Sequence, residues 1–298
     1  MRPNLVIVRA GGASLHPGWL TGPGPRNWDL VVSYFGDDPD LYREDDVVRI
    51  DSKGPKWPPL QALLQQNPNF IDDYDYVCFP DDDLAMTKDD LNRLFDICHE
   101  FDLELAQPSL TANSPLTHPL LIHNRFCRLR FTNFVEVMAP CFKNSLLRGA
   151  MPTFNKTRSG WGIDWLWPPL ADNPRTGVAI VDDVVMHHTR PIGGPNYAAA
   201  NTAGVAGVWK EFEAFLEAHG MDYIKIEIHR ILLRSGKYVD VKGPSAFLIW
   251  LLTAGYFRAA FVSPYRWRLL YEIARLSLRP FKARKPPFQD LSASPSST

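Results

Sequence analysis

The chain has 298 residues, 45% hydrophobic, 12% aromatic and 22% charged, enough to bury a sizeable core in one large domain or one domain with an appendage. Its 32 Lys+Arg against 33 Asp+Glu argue against general nucleic-acid binding, and the hydrophobic content against disorder outside Ser292–Thr298. Four cysteines (Cys78, Cys98, Cys127, Cys141) make no CxxC pair and no zinc spacing, so neither a disulfide framework nor a structural metal clip is expected.

The start, MRPNLVIVRAGG, holds one short apolar run and no small-residue cleavage site, and reads as a strand over Leu5–Val8 rather than a signal peptide. Trp28–Phe35 repeats the pattern, and Val47–Ile50 gives a third strand. A helix opens at Lys56, with Pro58 and Pro59 tolerated in its first turn. Tyr76–Phe79 is a fourth strand that runs into Pro80-Asp81-Asp82-Asp83, followed by a helix over Lys88–Glu100 with Leu91, Leu94, Phe95 and Cys98 on one face. Strands that are apolar throughout and separated by helices predict an α/β fold: a Rossmann-like, mostly parallel sheet covered on both faces. Ligands of such sheets bind beyond the carboxyl ends of the strands, where Arg9 and the Asp81–Asp83 run would sit.

The pattern changes after about residue 205. Val208–His219 reads as an amphipathic helix capped by Gly220. Ile224, Ile226 and Ile228 alternate with Lys225, Glu227 and His229 as a half-buried strand, and Ser235-Gly236 turns the chain into Tyr238–Val241. From Pro244 onward eight Lys/Arg face Glu272 and Asp290, a net +6 against −7 for the first 243 residues. The longest apolar stretch, Ala246–Val262, is broken by Gly255 and Arg258 and falls short of the about 20 residues of a spanning helix, so a soluble protein of a reducing compartment is expected.

Three carboxylates in a row raise one another's pKa unless solvent or a cation screens them. An acidic, solvated turn would serve. A divalent cation would serve too, and Mg²⁺ or Mn²⁺ prefers one or two carboxylates plus phosphate oxygens. An Asp-x-Asp at the end of a central strand therefore suits a metal–diphosphate group.

The segment YDYVCFPDDDL (Tyr74–Leu84) resembles the metal-binding motif of GT-A-fold glycosyltransferases. More closely, the chain resembles the domain-of-unknown-function family 707. The shared stretches, in order, are SYFGDD (Ser33–Asp38), KGPKW (Lys53–Trp57), YDYVCFPDDDL, LAQPSL (Leu105–Leu110), FVEVMAPCF (Phe134–Phe142), SGWGIDWLW (Ser159–Trp167) and VDDVVMHHTRP (Val181–Pro191). The resemblance implies a GT-A-like catalytic domain over residues 1–205, with 206–298 as an appendage of strands and basic, aromatic-rich helices. It implies a glycosyl-transfer reaction but no particular substrate; with the acidic run, Mn²⁺ or Mg²⁺ is the expected cofactor, and a nucleoside-diphosphate sugar, most often UDP-sugar in this fold, the expected donor. The acceptor would be a glycan or lipid-linked glycan at the cytoplasmic face.

Residue roles follow from that resemblance and from the chemistry of sugar transfer. Asp83 is expected to bind the metal, Asp81 and Asp82 to lie at the metal and nucleotide, and His188, with His187 beside it, to close the metal site from the end of a strand over Val178–Met186. Asp164 in Gly160-Trp161-Gly162-Ile163-Asp164 resembles the acceptor-loop base of inverting enzymes, and as an alternative it caps a helix. Trp161 and Gly162 would then meet a sugar ring, and Glu136, in a strand-like FVEVMAP, an acceptor hydroxyl. Arg9, Lys56 and Gln107 are further donor-site candidates, Lys56 because a helix N-terminus favours phosphate.

Competing chemistries fit less well. A haloacid-dehalogenase phosphatase would carry its Asp-x-Asp near the chain start, and a sugar nucleotidyltransferase would carry a Gly-rich loop with Arg and Lys after the first strand. A sugar-binding or scaffold protein on the same fold is the non-enzyme alternative. For the tail, Phe247, Leu248, Trp250, Leu251, Tyr256, Phe257 and Phe261 with the arginines suit a peripheral membrane contact through residues 244–287, or packing on the body.

Overall fold

The computed structural model describes residues 2–191, 204–224, 226–241, 256, 259, 262–267 and 269–271. Its strands are β1 (Asn4–Ala10), β2 (Trp28–Tyr34), β3 (Val48–Asp51), β4 (Tyr76–Cys78), β5 (Leu84–Ala85), β6 (Leu105–Leu110), β7 (Cys127–Thr132), β8 (Cys141–Lys143), β9 (Val178–His188), β10 (Ile228–Leu233) and β11 (Tyr238–Asp240). They run in the order β11-β10-β7-β9-β6-β8-β4-β1-β2-β3, with β5 paired to β9. The half made of β3, β2, β1 and β4 is wholly parallel. Beyond it β8 inserts antiparallel between β4 and β6, β6 and β9 are parallel, and β7, β10 and β11 close the far edge antiparallel. The α/β fold expected from the apolar strands is therefore present, with β1 buried at every position.

The helices are α1 (His16–Trp19), α2 (Trp57–Gln66), α3 (Lys88–Glu100), α4 (Asn144–Ala150) and α5 (Gly204–Ala218). Helix α3 has the predicted bounds because Thr87 and Asp90 form a reciprocal capping box, which satisfies two backbone donors at its start. Its buried face is Leu91, Leu94, Phe95, Ile97 and Cys98. Helix α2 begins with Trp57, whose indole packs edge-on against Phe154 and Trp167 under the sheet. All four cysteines are buried and free.

Three departures from the sequence pattern bear on the site. Phe134–Pro140 is not a strand: the Glu136 N–H donates to the Gln107 side chain and the Val137 N–H to Asp164, while the Val137 carbonyl accepts from Lys56. Side chains thus take the hydrogen bonds a ladder would need. Among the described residues of the Ile224–Ile228 alternation no strand precedes Ile228, which pairs with Thr132 at the end of β7; the Glu227 N–H is held by the Asn133 side chain instead. Finally, β9 is continuous through His188. It bulges at Asp182–Val184, where the register to β6 jumps from Val181 to Val185, and then pairs with β5.

That bulge is anchored by a fully buried ion pair. Arg130 Nε lies 2.6 Å from Asp182 Oδ2 and its Nη2 2.9 Å from Asp182 Oδ1, and the guanidinium also donates to the Leu120 carbonyl and the Tyr256 hydroxyl. Tyr256 is consequently packed into the body. Phe247, Leu248, Trp250, Leu251, Phe257 and Phe261 lie outside the described residues. Among the described residues no helix is long and apolar enough to cross a membrane.

Candidate active site

The carboxyl ends of β1, β2 and β4 converge on the Asp81–Asp83 loop. The register sets Arg9 beside Ser33, and Arg9 bridges to Asp81. Arg9 is buried, donating to the Ser33 hydroxyl at 2.9 Å and to the Ser52 and Gly54 carbonyls at 2.8 and 2.7 Å. Burial lowers its pKa to about 10, opposed by Asp82.

The three aspartates diverge, and each meets its own cation. Asp81 Oδ1 is 2.7 Å from Lys56 Nζ, which also donates to the Phe79 and Val137 carbonyls. Burial still pushes the Asp81 carboxyl up to about 6, with Lys56 opposing and Asp83 reinforcing. Asp82 accepts the Gly11 N–H at 2.9 Å and Arg190 Nη1 at 2.8 Å. Burial raises its pKa against both of these. Asp83 Oδ2 is 3.2 Å from His188 Nε2, while its buried Oδ1 has no hydrogen-bond partner. The mutual repulsion that argued for a metal is therefore relieved at Asp81 and Asp82 by Lys56 and Arg190. Among the described residues the buried Asp83 Oδ1 is left without a hydrogen-bond partner, and Asp81 engages Lys56 through Oδ1 alone.

The route of β9 explains the histidine. Ala85 pairs with His187 and Leu84 with His188, so alternate side chains point to opposite faces. His188 reaches Asp83, and its Nδ1 lies 2.9 Å from the Pro115 carbonyl. His187 faces away and bonds the Thr111 and Ser114 hydroxyls through Nδ1 at 2.7 and 3.2 Å; it is not brought to the aspartates. Arg190, two residues beyond His188, falls on the same side, a spacing by which the sequence could have singled it out. Among the described residues no group of three or more His, Cys, Asp and Glu side chains is arranged to hold a metal ion.

A second compartment adjoins the first, a small open cleft of about 30 Å³ lined by Glu136, Asp164, Trp161, Gly162 and the aromatic side chains Trp165 and Phe212, among others. Asp164 does not cap a helix: Gly162, at φ +93°, caps the short 3-10 turn Ile163–Trp165, and Asp164 sits inside it. Its Oδ2 accepts the Val137 N–H at 3.4 Å and its buried Oδ1 has no partner. Burial and the neighbouring Glu136 hold its carboxyl well above the usual range. Glu136 is likewise buried, with Oε2 unpartnered. Its pKa is pushed up to about 7 by burial, opposed first by His188, so the two compartments are within electrostatic reach.

The remaining predicted residues support rather than line the donor end. Gln107 is fully buried and accepts the Glu136 N–H at 2.5 Å. Lys56 is taken up by Asp81 and carbonyl oxygens instead of standing free at a helix end. Gly160 and Gly162 serve close packing: a Cβ would stand 2.5 Å from Trp57 at the first and 2.6 Å from Phe215 at the second. Trp161 packs edge-on to Trp209 at 5.1 Å. Trp209 and Phe212, three apart on α5, and Tyr223 complete the aromatic wall. The amphipathic pattern of 208–219 predicts the helix that carries Trp209 and Phe212 but not that this face meets Trp161.

A family model described as "Protein of unknown function (DUF707)" matches residues 46–210, more than half of the chain. No curated protein matches it. Among solved structures, S. aureus TarS 1-349 in complex with UDP-GlcNAc is similar at a TM-score of 0.50 and 14% identity, over 93% of this chain and 82% of that one. Another structure of S. aureus TarS 1-349 gives 0.45 and 16% over 63% of this chain, which spans 60% of it. A putative nucleotide-diphospho-sugar transferase from Desulfovibrio desulfuricans G20 gives 0.38 and 10%, over 74% of this chain and 99% of that one. The likeness to UDP-GlcNAc-bound TarS establishes a shared, GT-A-like α/β fold.

Proposed function

The chain belongs to the DUF707 family, and from that premise we propose that it is a glycosyltransferase that moves a sugar from a nucleoside-diphosphate sugar to a glycan or lipid-linked glycan. The observation that carries this reading is Asp83: a buried carboxylate at the end of a central strand, paired on one oxygen with His188 and open on the other. UDP is the first nucleotide to try, because the similar TarS structure is a complex with UDP-GlcNAc.

One carboxylate and one imidazole fit Mn²⁺ or Mg²⁺ when phosphate oxygens and water supply the other positions. Asp83 and His188, the latter once its Nε2 proton is lost, would hold the cation, whose chemistry there would be to offset the charge that builds on the diphosphate as the glycosidic bond breaks. Arg9 and Ser33 form the floor beside it, and Lys56 and Arg190 hold the loop so that Asp83 keeps its orientation. Asp164 takes the proton of the attacking acceptor hydroxyl, which makes the transfer inverting. The desolvation that raises its pKa makes the ionised carboxylate a stronger base. Trp161 and Gly162 border the acceptor, and residues 1–205 carry the catalytic groups. For location we propose a peripheral contact through residues 244–287 with an anionic membrane surface, supported by exposed Val262, Trp267 and Tyr271 beside Arg266.

A second reading, a sugar-binding protein without turnover, is favoured by one observation. Lys56, Arg190 and His188 together balance the aspartate run, so the loop is sound with no metal. Release of nucleotide from UDP-sugars in the presence of Mn²⁺, lost in Asp164→Asn, supports the transferase. Donor binding without release, across a panel of glycan acceptors, supports the binding protein.

A further inference from the structure

We propose that the ligand of the aromatic cleft carries a free amine: an amino sugar whose ammonium group sits at the Glu136 and Asp164 carboxyls. The proposal rests on the reading above that this cleft is the acceptor side, and names the acceptor's chemistry.

The cleft contrasts with the aspartate run beside it. Asp81, Asp82 and Asp83 are each matched by a protein cation, Lys56, Arg190 and His188. Among the described residues Glu136 and Asp164, only 6% and 5% exposed, form no ion pair: Glu136 is hydrogen-bonded by the Thr117 side chain and Asp164 by the backbone of Val137, Gly162 and its own residue, while His188 and Lys56 act on Glu136 only at a distance. Among the described residues each keeps one buried oxygen, Oε2 and Oδ1, without a hydrogen-bond partner. Two desolvated carboxyls sharing a pocket are costly when both are ionised, and an entering cation removes that cost.

The walls fit the same guest. Trp161, Trp165, Trp209 and Phe212 line the cleft together with the His118 imidazole, and no lysine or arginine does so among the described residues. The nearby cations are already engaged, Lys56 by Asp81 and His188 by Asp83. Aromatic rings attract an ammonium group and also pack on the apolar face of a sugar ring. A pocket that joins aromatic walls to uncompensated carboxyls therefore selects a sugar with a positive charge over a neutral one.

The test is calorimetric titration of the full chain at pH 7 with glucosamine, glucose and N-acetylglucosamine, the last retaining the nitrogen but not the charge. The proposal expects glucosamine to bind roughly tenfold or more tightly than either neutral sugar. It expects that preference to shrink in Glu136→Gln, and all three sugars to weaken in Trp161→Ala. Equal binding of charged and neutral sugars by the unaltered protein, no binding of any, or a preference unchanged in Glu136→Gln would overturn it; the first comparison needs no variant to fold. Titration with UDP-GlcNAc separates this proposal from the transferase reading. A bound donor with no amine preference defeats the amine alone, whereas amine preference with no donor bound defeats the transferase.

Discussion

His188 Nε2 stands 3.2 Å from Asp83 Oδ2 across the pairing of β9 with β5, and its Nδ1 lies 2.9 Å from the Pro115 carbonyl. Burial disfavours charge on this imidazole, yet the hydrogen bond and charge of Asp83, then Pro115 and Asp81, outweigh burial and raise its pKa to about 9. The ring is thereby fixed in orientation and aimed at the carboxylate, with the other Asp83 oxygen left open. A partner that holds the ring through its second nitrogen is how imidazoles are oriented for metal binding.

The Glu136 carboxyl predicts a pH effect on stability. Its folded pKa, about 7, lies above the ordinary glutamate value of 4.5, so between those values the folded chain binds the extra proton. Stability from this group is full below about pH 4.5 and is lost as pH rises through 7. Glu136→Gln has no proton to lose there. Its stability relative to the unaltered chain should rise by about 3 kcal/mol over that window, measured by urea unfolding without metal. A difference that is flat with pH would contradict the assignment.

Removing one member of the Arg130–Asp182 pair strands a charge where both side chains are fully buried. Arg130→Met is expected to destabilise the fold by about 3–5 kcal/mol in chemical denaturation, far more than a surface arginine. Tyr256→Phe, which removes a single hydroxyl from the same guanidinium, should cost about 1 kcal/mol.

Gly162 tests the construction of the cleft. At φ +93° a side chain is strained, and its Cβ would stand 2.6 Å from the Phe215 ring. Gly162→Ala should destabilise by about 1–3 kcal/mol and weaken sugar binding more than donor binding, since Phe212 also lies within contact range of the new Cβ. Equal losses at both ends would indicate a general effect on folding.

The exposed Val262, Trp267 and Tyr271 predict binding to vesicles containing anionic lipid. Trp267→Ser with Tyr271→Ser should reduce that binding roughly tenfold or more, and added salt should weaken it further. Indifference of the full chain to anionic vesicles would leave the packing reading, to which Tyr256 already belongs.

Much of this architecture was legible where one local rule dominated. Leu5–Val8 and Tyr76–Phe79 are buried on both faces and read as continuous apolar runs, and α3 announced itself through Thr87, Asp90 and its apolar stripe. The Asp81–Asp83 loop was legible from its place after β4, and His188 from its place at the end of β9. What sequence could not supply were relations between distant segments. Lys56 finds Asp81 across 25 positions, and Gln107 and Asp164 capture the backbone that made FVEVMAP look like a strand. The apolar run around Glu136 did not specify pairing, because the hydrogen-bond partners came from side chains.

The most direct test of the central claim is calorimetric titration of the purified chain with UDP-, GDP- and CMP-sugars, with and without Mn²⁺, beside Asp83→Ala. The account predicts that one nucleotide class binds, that binding needs the metal, and that the variant loses it while remaining folded. Donor binding that is indifferent to Mn²⁺ and survives Asp83→Ala would contradict it.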